Sequence, residues 1–93
     1  MIQSFADRDT ERLWNRERVR SIDSRIHSVA LRKLRQLGYA QTLDELRIPP
    51  GNRLEALNGD RRGQFSIRIN DQWRICFRWS AAGPEEVEIV DYH

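Results

Sequence analysis

At 93 residues the chain has room for one domain, 1–93, and a domain of this size buries only about 60–65% of the surface its unfolded chain exposes. That argues against a deep enclosed pocket and for a shallow site on an exposed face. The chain is 39% hydrophobic and 32% charged, and three Trp, three Phe and two Tyr can anchor a modest core, which sets wholesale disorder aside. The net charge is only +2, but the basic residues are lopsided, with 15 Arg and a single lysine, Lys33. The lone cysteine, Cys76, excludes an intrachain disulfide and a cysteine-based zinc motif and favours a reducing cytoplasm. The N-terminus lacks the pattern of a secretory signal, and no apolar run approaches the ~20 residues that cross a bilayer, so no membrane is expected as a partner.

In chain order, Ile2–Ala6 reads as a short strand, and Asp7 and Asp9 offer N-caps for a short helix from Thr10 to about Asn15. Arg16–Arg20 is a charged connector. The clearest helix starts near Ser21, because Ile22, Ile26, Val29, Ala30, Leu34 and Leu37 recur at spacings of three and four, and Gly38 is placed to end it. Arg25, Arg32, Lys33 and Arg35 make its wet face, and His27 lies off the apolar stripe, as a surface histidine. Leu43, Leu46 and Ile48 form a weaker apolar set before Pro49-Pro50-Gly51-Asn52, which reads as a loop.

The second half predicts an antiparallel meander: strands at Arg53–Leu57, Gln64–Ile69, Trp73–Trp79 and Glu86–Tyr92, with turns at Asn58-Gly59-Asp60, Asn70-Asp71 and Ala82-Gly83-Pro84. Period-two alternation puts Phe65, Ile67, Ile69, Trp73, Ile75, Phe77 and Trp79 on a core face toward the helices. The other face carries Arg53, Glu55, Ser66, Arg68, Arg74, Cys76, Arg78, Glu86, Glu88 and Tyr92, too polar for a second core. The fold class is therefore α+β, two helices on one face of an antiparallel sheet. Five Arg between Arg61 and Arg78 against one acid, Asp71, leave two readings open: a positive patch for phosphate, or a ladder in which Arg68, Arg74 and Arg78 pair with Glu86 and Glu88.

Three segments carry a resemblance: the opening MIQSF, the run NRLEALNGDRRGQFSIRINDQWRICF and the terminal VEIVDYH. Together they resemble the HigB family of toxin–antitoxin toxins over nearly the whole chain. The resemblance implies a RelE-like fold, with an N-terminal strand and two helices on an antiparallel sheet. It also implies an endoribonuclease that cuts messenger RNA in the ribosomal A site without metal or other cofactor. The implied partners are the ribosome and a HigA-type helix-turn-helix antitoxin, with operator DNA reached only through the antitoxin complex.

Cleavage by the RNA's own 2′-hydroxyl needs a base, an acid for the leaving 5′-oxygen, and cations on the phosphoryl oxygens. His93 matches the family's C-terminal histidine and is the leading acid or base. Tyr92 is placed to stack on a base or assist proton transfer, and Asp91 to orient His93 or pair with an arginine, the two lying on opposite faces of a regular strand. Arg74, in Gln-Trp-Arg, matches a family active-site arginine and is the leading phosphate contact; Arg68 and Arg78 share its face, and Arg61 and Arg62 sit at a turn where they can grip phosphate.

The chain departs from the family where some members carry a histidine in place of Glu55 and a lysine in place of Asn58. Glu55 is either a substitute base or a structural partner of Arg53 or Arg74. Cys76 reads as a partly buried, inert thiol. Two other readings compete with the nuclease: a ParE-like toxin acting on DNA gyrase, which needs no acid–base pair, and a domain kept only as corepressor.

Overall fold

The computed structural model describes residues 1–92. Helix α1 (Arg8–Trp14) and helix α2 (His27–Tyr39) precede four strands, β1 (Glu55–Ala56), β2 (Phe65–Arg68), β3 (Trp73–Ser80) and β4 (Gly83–Asp91), which pair antiparallel in the order β1-β2-β3-β4. The α+β arrangement expected from the alternation is present. Among the described residues, no helix is long and apolar enough to cross a membrane.

One core lies between the layers. The helices contribute Leu13, Ala30, Leu34 and Leu37, and the strands Ile67, Ile75, Phe77, Val87 and Ile89, all buried. Apart from the small Ala30, each such side chain contributes about 1.5–3 kcal/mol when fully buried. Helix α1 is tied directly to the sheet, because the buried Thr10 hydroxyl accepts the Ile89 amide at 2.9 Å.

The expected N-terminal strand is reduced to one parallel bridge, Phe5 to Val87. Hydrogen bonds from Gln3 N to Pro84 O, Val87 N to Ser4 O and Ala6 N to Val87 O still run it along β4. Close approach at this edge demands glycine at Gly83: its φ is 129°, and a Cβ there would stand 2.6 Å from the Met1 carbonyl oxygen. Gly83 and Pro84 accordingly join β4 instead of turning the chain, opposite Ser80 and Trp79. A register shift between Cys76 and Arg78, with Glu86 at φ 51°, bends the same strand.

The second helix begins later than its periodicity suggests. Asp23 accepts the Arg25 amide at 2.9 Å and opens a 3-10 turn, Ser24–Ile26, from which α2 continues. Ile22, like Val19 before it, is buried from irregular backbone, so its place in the apolar spacing reports the core and not a helix. Nor does Gly38 stop the helix. It lies within the last turn, where Trp14 and Ile2 pack against it, and extended Ala40 ends α2 instead. His27 is not a simple surface residue either: its Nε2 donates to the Ile22 carbonyl at 2.7 Å and closes the approach to α2.

Residues 40–53 hold a device with no apolar signature. Asn52 is fully buried and donates to Gln36 Oε1 (2.9 Å) and the Leu46 carbonyl (3.2 Å), while its oxygen accepts from Lys33. Burial is the main cause that lowers the Lys33 pKa, with Arg32 and Arg68 adding to it. The loop thus secured ends at Arg53, which takes a left-handed φ of 45° and cuts the expected strand 53–57 down to β1.

Candidate active site

Strand register puts a polar row across the face away from the helices. Glu55 lies opposite Ser66, Ser66 opposite Cys76, and Cys76 opposite Glu88, one residue from each strand. Alternation predicts this face correctly, but it is less open than expected. Ser66 and Cys76 have no exposed surface, because arginines lie over the row. Cys76 is therefore buried outright, not partly. Burial raises its thiol pKa, against a smaller opposing pull from Arg61.

Arg74 is the better fixed of the two covering arginines. Its Nε donates to Ser66 Oγ at 2.8 Å, and its Nη2 donates to the Arg53 carbonyl at 2.8 Å and lies 3.5 Å from Glu55 Oε1. The left-handed turn at Arg53 is what aims that carbonyl inward. Only 13% of the Arg74 side chain is exposed. The Tyr92 ring lies 5.8 Å from its guanidinium carbon, within reach of a cation–π contact. Tyr92 is itself held by its amide, which donates to the Gln72 carbonyl at 2.6 Å. Among the described residues, Arg74 Nη1 has no hydrogen-bond partner, so a rigid guanidinium presents one free edge beside an exposed aromatic ring.

Arg61 enters from the 3-10 turn Gly59–Arg61 and reaches Glu88 at 3.1 Å and Gln64 Oε1 at 3.0 Å. Burial works against its charge, but the Glu88 hydrogen bond and the charges of Cys76, Glu88 and Tyr92 outweigh it, and its pKa rises. Arg61 is thus partnered, whereas its neighbour Arg62 stands exposed.

The remaining residues divide. Arg78 pairs with Glu86 at 3.1 Å, as the ladder reading has it. The other two rungs are different: Arg74 takes Glu55, and Glu88 takes Arg61. Arg68 lies opposite Arg74 in register, yet its guanidinium turns to Asp71, because two like charges side by side repel. Asp91 accepts from Gln72 Nε2 at 3.1 Å, away from Tyr92's contact with Arg74, consistent with their different faces. His93 lies outside the described residues. Among those described, no three His, Cys, Asp or Glu residues converge as metal ligands.

Sequence reasoning missed Ser66 and the Arg53 carbonyl as holders of Arg74. Strand parity already places Ser66 on the right face, and it is the only signal available. A backbone carbonyl aimed by a left-handed residue leaves none.

Comparison with known proteins adds four findings. Residues 3–93 match the family described as RelE-like toxin of type II toxin-antitoxin system HigB. The Toxin HigB-1 of Vibrio cholerae serotype O1 is 44% identical over 80 residues, 85% of this chain and 84% of that protein. An uncharacterized protein of Haemophilus influenzae is 34% identical over 58 residues, 62% of this chain and 57% of its own length. Among solved structures, a YoeB/ParE toxin from Agrobacterium tumefaciens superposes with a TM-score of 0.53 at 22% identity, over 99% of this chain and 96% of that one, a likeness of fold.

Proposed function

The chain belongs to the HigB family of RelE-like toxins, and is the toxin of a type II toxin–antitoxin pair with an antitoxin as its partner; from that premise we propose that it is a ribosome-dependent endoribonuclease acting on messenger RNA in the A site. The observation that carries this reading is Arg74, largely covered, fixed on three sides, and free along one edge beside Tyr92. A guanidinium held in advance stabilises charge developing on a phosphoryl oxygen without reorganising during the reaction.

In the cleavage step the 2′-oxygen attacks the adjacent phosphorus, the bond to the 5′-oxygen breaks, and a cyclic phosphate and a 5′-hydroxyl result. One group takes the 2′-proton and another protonates the leaving oxygen. His93 is the proposed acid or base, next in the chain to a tyrosine anchored at Gln72. Tyr92 supplies a stacking surface. Glu55, 54% exposed and beside Arg74, is the second proton-handling group in reach of the same phosphate, and its pairing with Arg74 holds it there. Asp91 is assigned to positioning the chain end through Gln72. Arg62 is the free phosphate contact at the rim; Arg61, Arg68 and Arg78 meet phosphate only by sharing or releasing their acids.

Ribosome dependence is proposed because a chain of 93 residues has little room for an enclosed pocket, and a shallow face cannot by itself bend an RNA strand into line for attack. Positioning by the A site would supply that alignment, a contribution of about 7–11 kcal/mol in the best-oriented systems. The proposed antitoxin is of the helix-turn-helix type, with operator DNA met only through the complex.

The test is messenger RNA cleavage in a purified translation system by wild type and His93→Ala, with and without ribosomes. Cutting that requires both ribosomes and His93 is expected. Efficient cutting of naked RNA would remove the ribosomal step. Growth arrest in cells without cleavage by wild type would move the function to a gyrase-directed toxin.

A further inference from the structure

A second basic surface lies on the helical layer, away from the polar row. It is built by the connector between α1 and α2. Helix α1 closes with a Schellman motif, in which the Arg16 amide donates to the Leu13 carbonyl and the Glu17 amide to the Arg12 carbonyl, both at 2.9 Å. Arg16 occupies the left-handed position of that motif, at φ 65°, where glycine is the favoured residue. Beyond it, Val19 is buried while Arg18 and Arg20 on either side are exposed, so the connector is pinned at Val19 with an arginine turned to solvent on each side.

These arginines edge two adjoining shallow depressions, of about 370 and 490 Å³. Arg16, Glu17 and Arg18 border the first, Arg18 and Arg20 the second, and His27 lies on the boundary of both. Among the described residues none of the three arginines has an ion-pair partner, although Glu17 sits between them. Arg32 and Arg35 on the solvent side of α2 are likewise unpaired.

The geometry points to this connector as a docking surface for an RNA phosphate backbone, separate from the strand that is cut. Three considerations choose that occupant. Arg16, Arg18 and Arg20 lie within five consecutive residues, and no acid among the described residues neutralises any of them, so their charges act together on a polyanion. Arginine forks bind phosphate in pairs of hydrogen bonds. Finally, the exposed large apolar residues are Met1, Tyr39, Ile48 and Tyr92, none of them in the connector. A protein interface needs a desolvated apolar anchor, and a membrane surface needs an apolar face to insert, so a polyanionic backbone fits best. The choice of RNA rests on the nuclease reading above, but the readout does not need cleavage.

The experiment measures binding of the full chain to purified ribosomes, and to a generic RNA duplex of roughly 20 base pairs, across a salt series. Wild type is compared with Arg16→Ala/Arg18→Ala/Arg20→Ala and with Arg16→Gly. The triple variant is expected to lose roughly tenfold or more in affinity, and its log–log salt slope to shrink in magnitude by about 2.7, since each of the three phosphate contacts contributes about 0.9. Arg16→Gly is expected to shrink the slope by about one while leaving the thermal midpoint no lower, because glycine suits the left-handed position. That variant separates binding from folding. An unchanged affinity and slope in the triple variant overturns the proposal. So does RNA binding that stays intact while the complex with antitoxin weakens, which would make the connector a protein contact. Ribosome binding without cleavage by wild type sinks the nuclease reading and leaves this one standing.

Discussion

The two layers of this molecule use the same residue in opposite ways. On the sheet, Arg61, Arg68, Arg74 and Arg78 each meet an acid, with Arg53 and Arg62 as the exceptions. On the helical layer Arg25 and Arg47 are paired with near neighbours, but Arg16, Arg18, Arg20, Arg32 and Arg35 have no acid partner among the described residues. Charge follows the same division: residues 1–47 hold ten basic and seven acidic residues, residues 48–93 six and seven. The small net positive charge of the chain therefore resides with the helices, not with the arginine-rich strands. A paired arginine has a fixed direction and a cancelled field, and an unpaired one has a field and no fixed direction. The sheet is built to place a guanidinium, the connector to attract a polyanion.

The strongest way to break this contrast is Arg74→Ala. If a positioned guanidinium stabilises the cleavage transition state, the variant should lose about 100–1000-fold in the rate of ribosome-dependent cleavage. Arg74→Lys should recover little, because an ammonium cannot reach Ser66, the Arg53 carbonyl and a phosphate together. Single-turnover cleavage measures both. Near-wild-type rates in either would make the sheet arginines purely structural.

Reaching Arg74 from the sequence is possible because strand parity and a family motif agree on it. The helix stripe from Ile26 to Leu37 and the alternation from Phe65 to Trp79 are equally legible, since each reports one buried face. The partners of the arginines are not legible. Arg61 and Glu88 are 27 residues apart, and Arg74 and Arg53 are 21 apart, so local spacing says nothing about either contact. Left-handed backbone at Arg16, Arg53 and Glu86 leaves no mark in composition, because none is glycine. The expected ladder of Arg68, Arg74 and Arg78 with Glu86 and Glu88 has one rung right for this reason. The connector, read simply as charged chain, shows its character only once every nearby acid has been located.

Asn52→Ala sharpens the comparison by loosening the support of Arg74 without touching the connector arginines. Asn52 fastens the loop that delivers the Arg53 carbonyl to Arg74, and its removal strands Lys33 and Gln36. A cost of about 1–3 kcal/mol is expected from buried polar groups left unpaired, read as a lower urea midpoint. Cleavage should fall with it, while the salt slope of RNA binding stays at its wild-type value. A slope that changed as well would mean that the two basic surfaces are not independent.

Pairing itself should be measurable as stability. Arg61→Ala leaves Glu88 without its cation on a half-buried strand and should cost about 1 kcal/mol, near the upper end for such pairs. Arg18→Ala, with no partner to lose, should stay within about 0.5 kcal/mol of wild type. Urea denaturation of the two variants side by side is the check, and equal costs would erase the distinction between the layers.

The smallest effect concerns the thiol beneath the paired arginines. Burial is the largest cause of the raised Cys76 pKa, and the neighbouring Glu88 adds to it. A raised folded pKa means the native state keeps the proton after the unfolded chain has lost it. The thiol's contribution to stability is therefore complete below the ordinary thiol range and is lost as pH rises through that range toward the folded value. Cys76→Ala should accordingly flatten the alkaline limb of the stability profile while leaving its neutral region parallel to wild type. Alkylation should follow the same logic: iodoacetamide reacts with the unfolded protein and spares the native one at neutral pH, because Cys76 is covered. Rapid labelling of native protein would show that Arg61 and Arg74 lift readily from the row they cover, and the sheet arginines would then be as free as those of the connector.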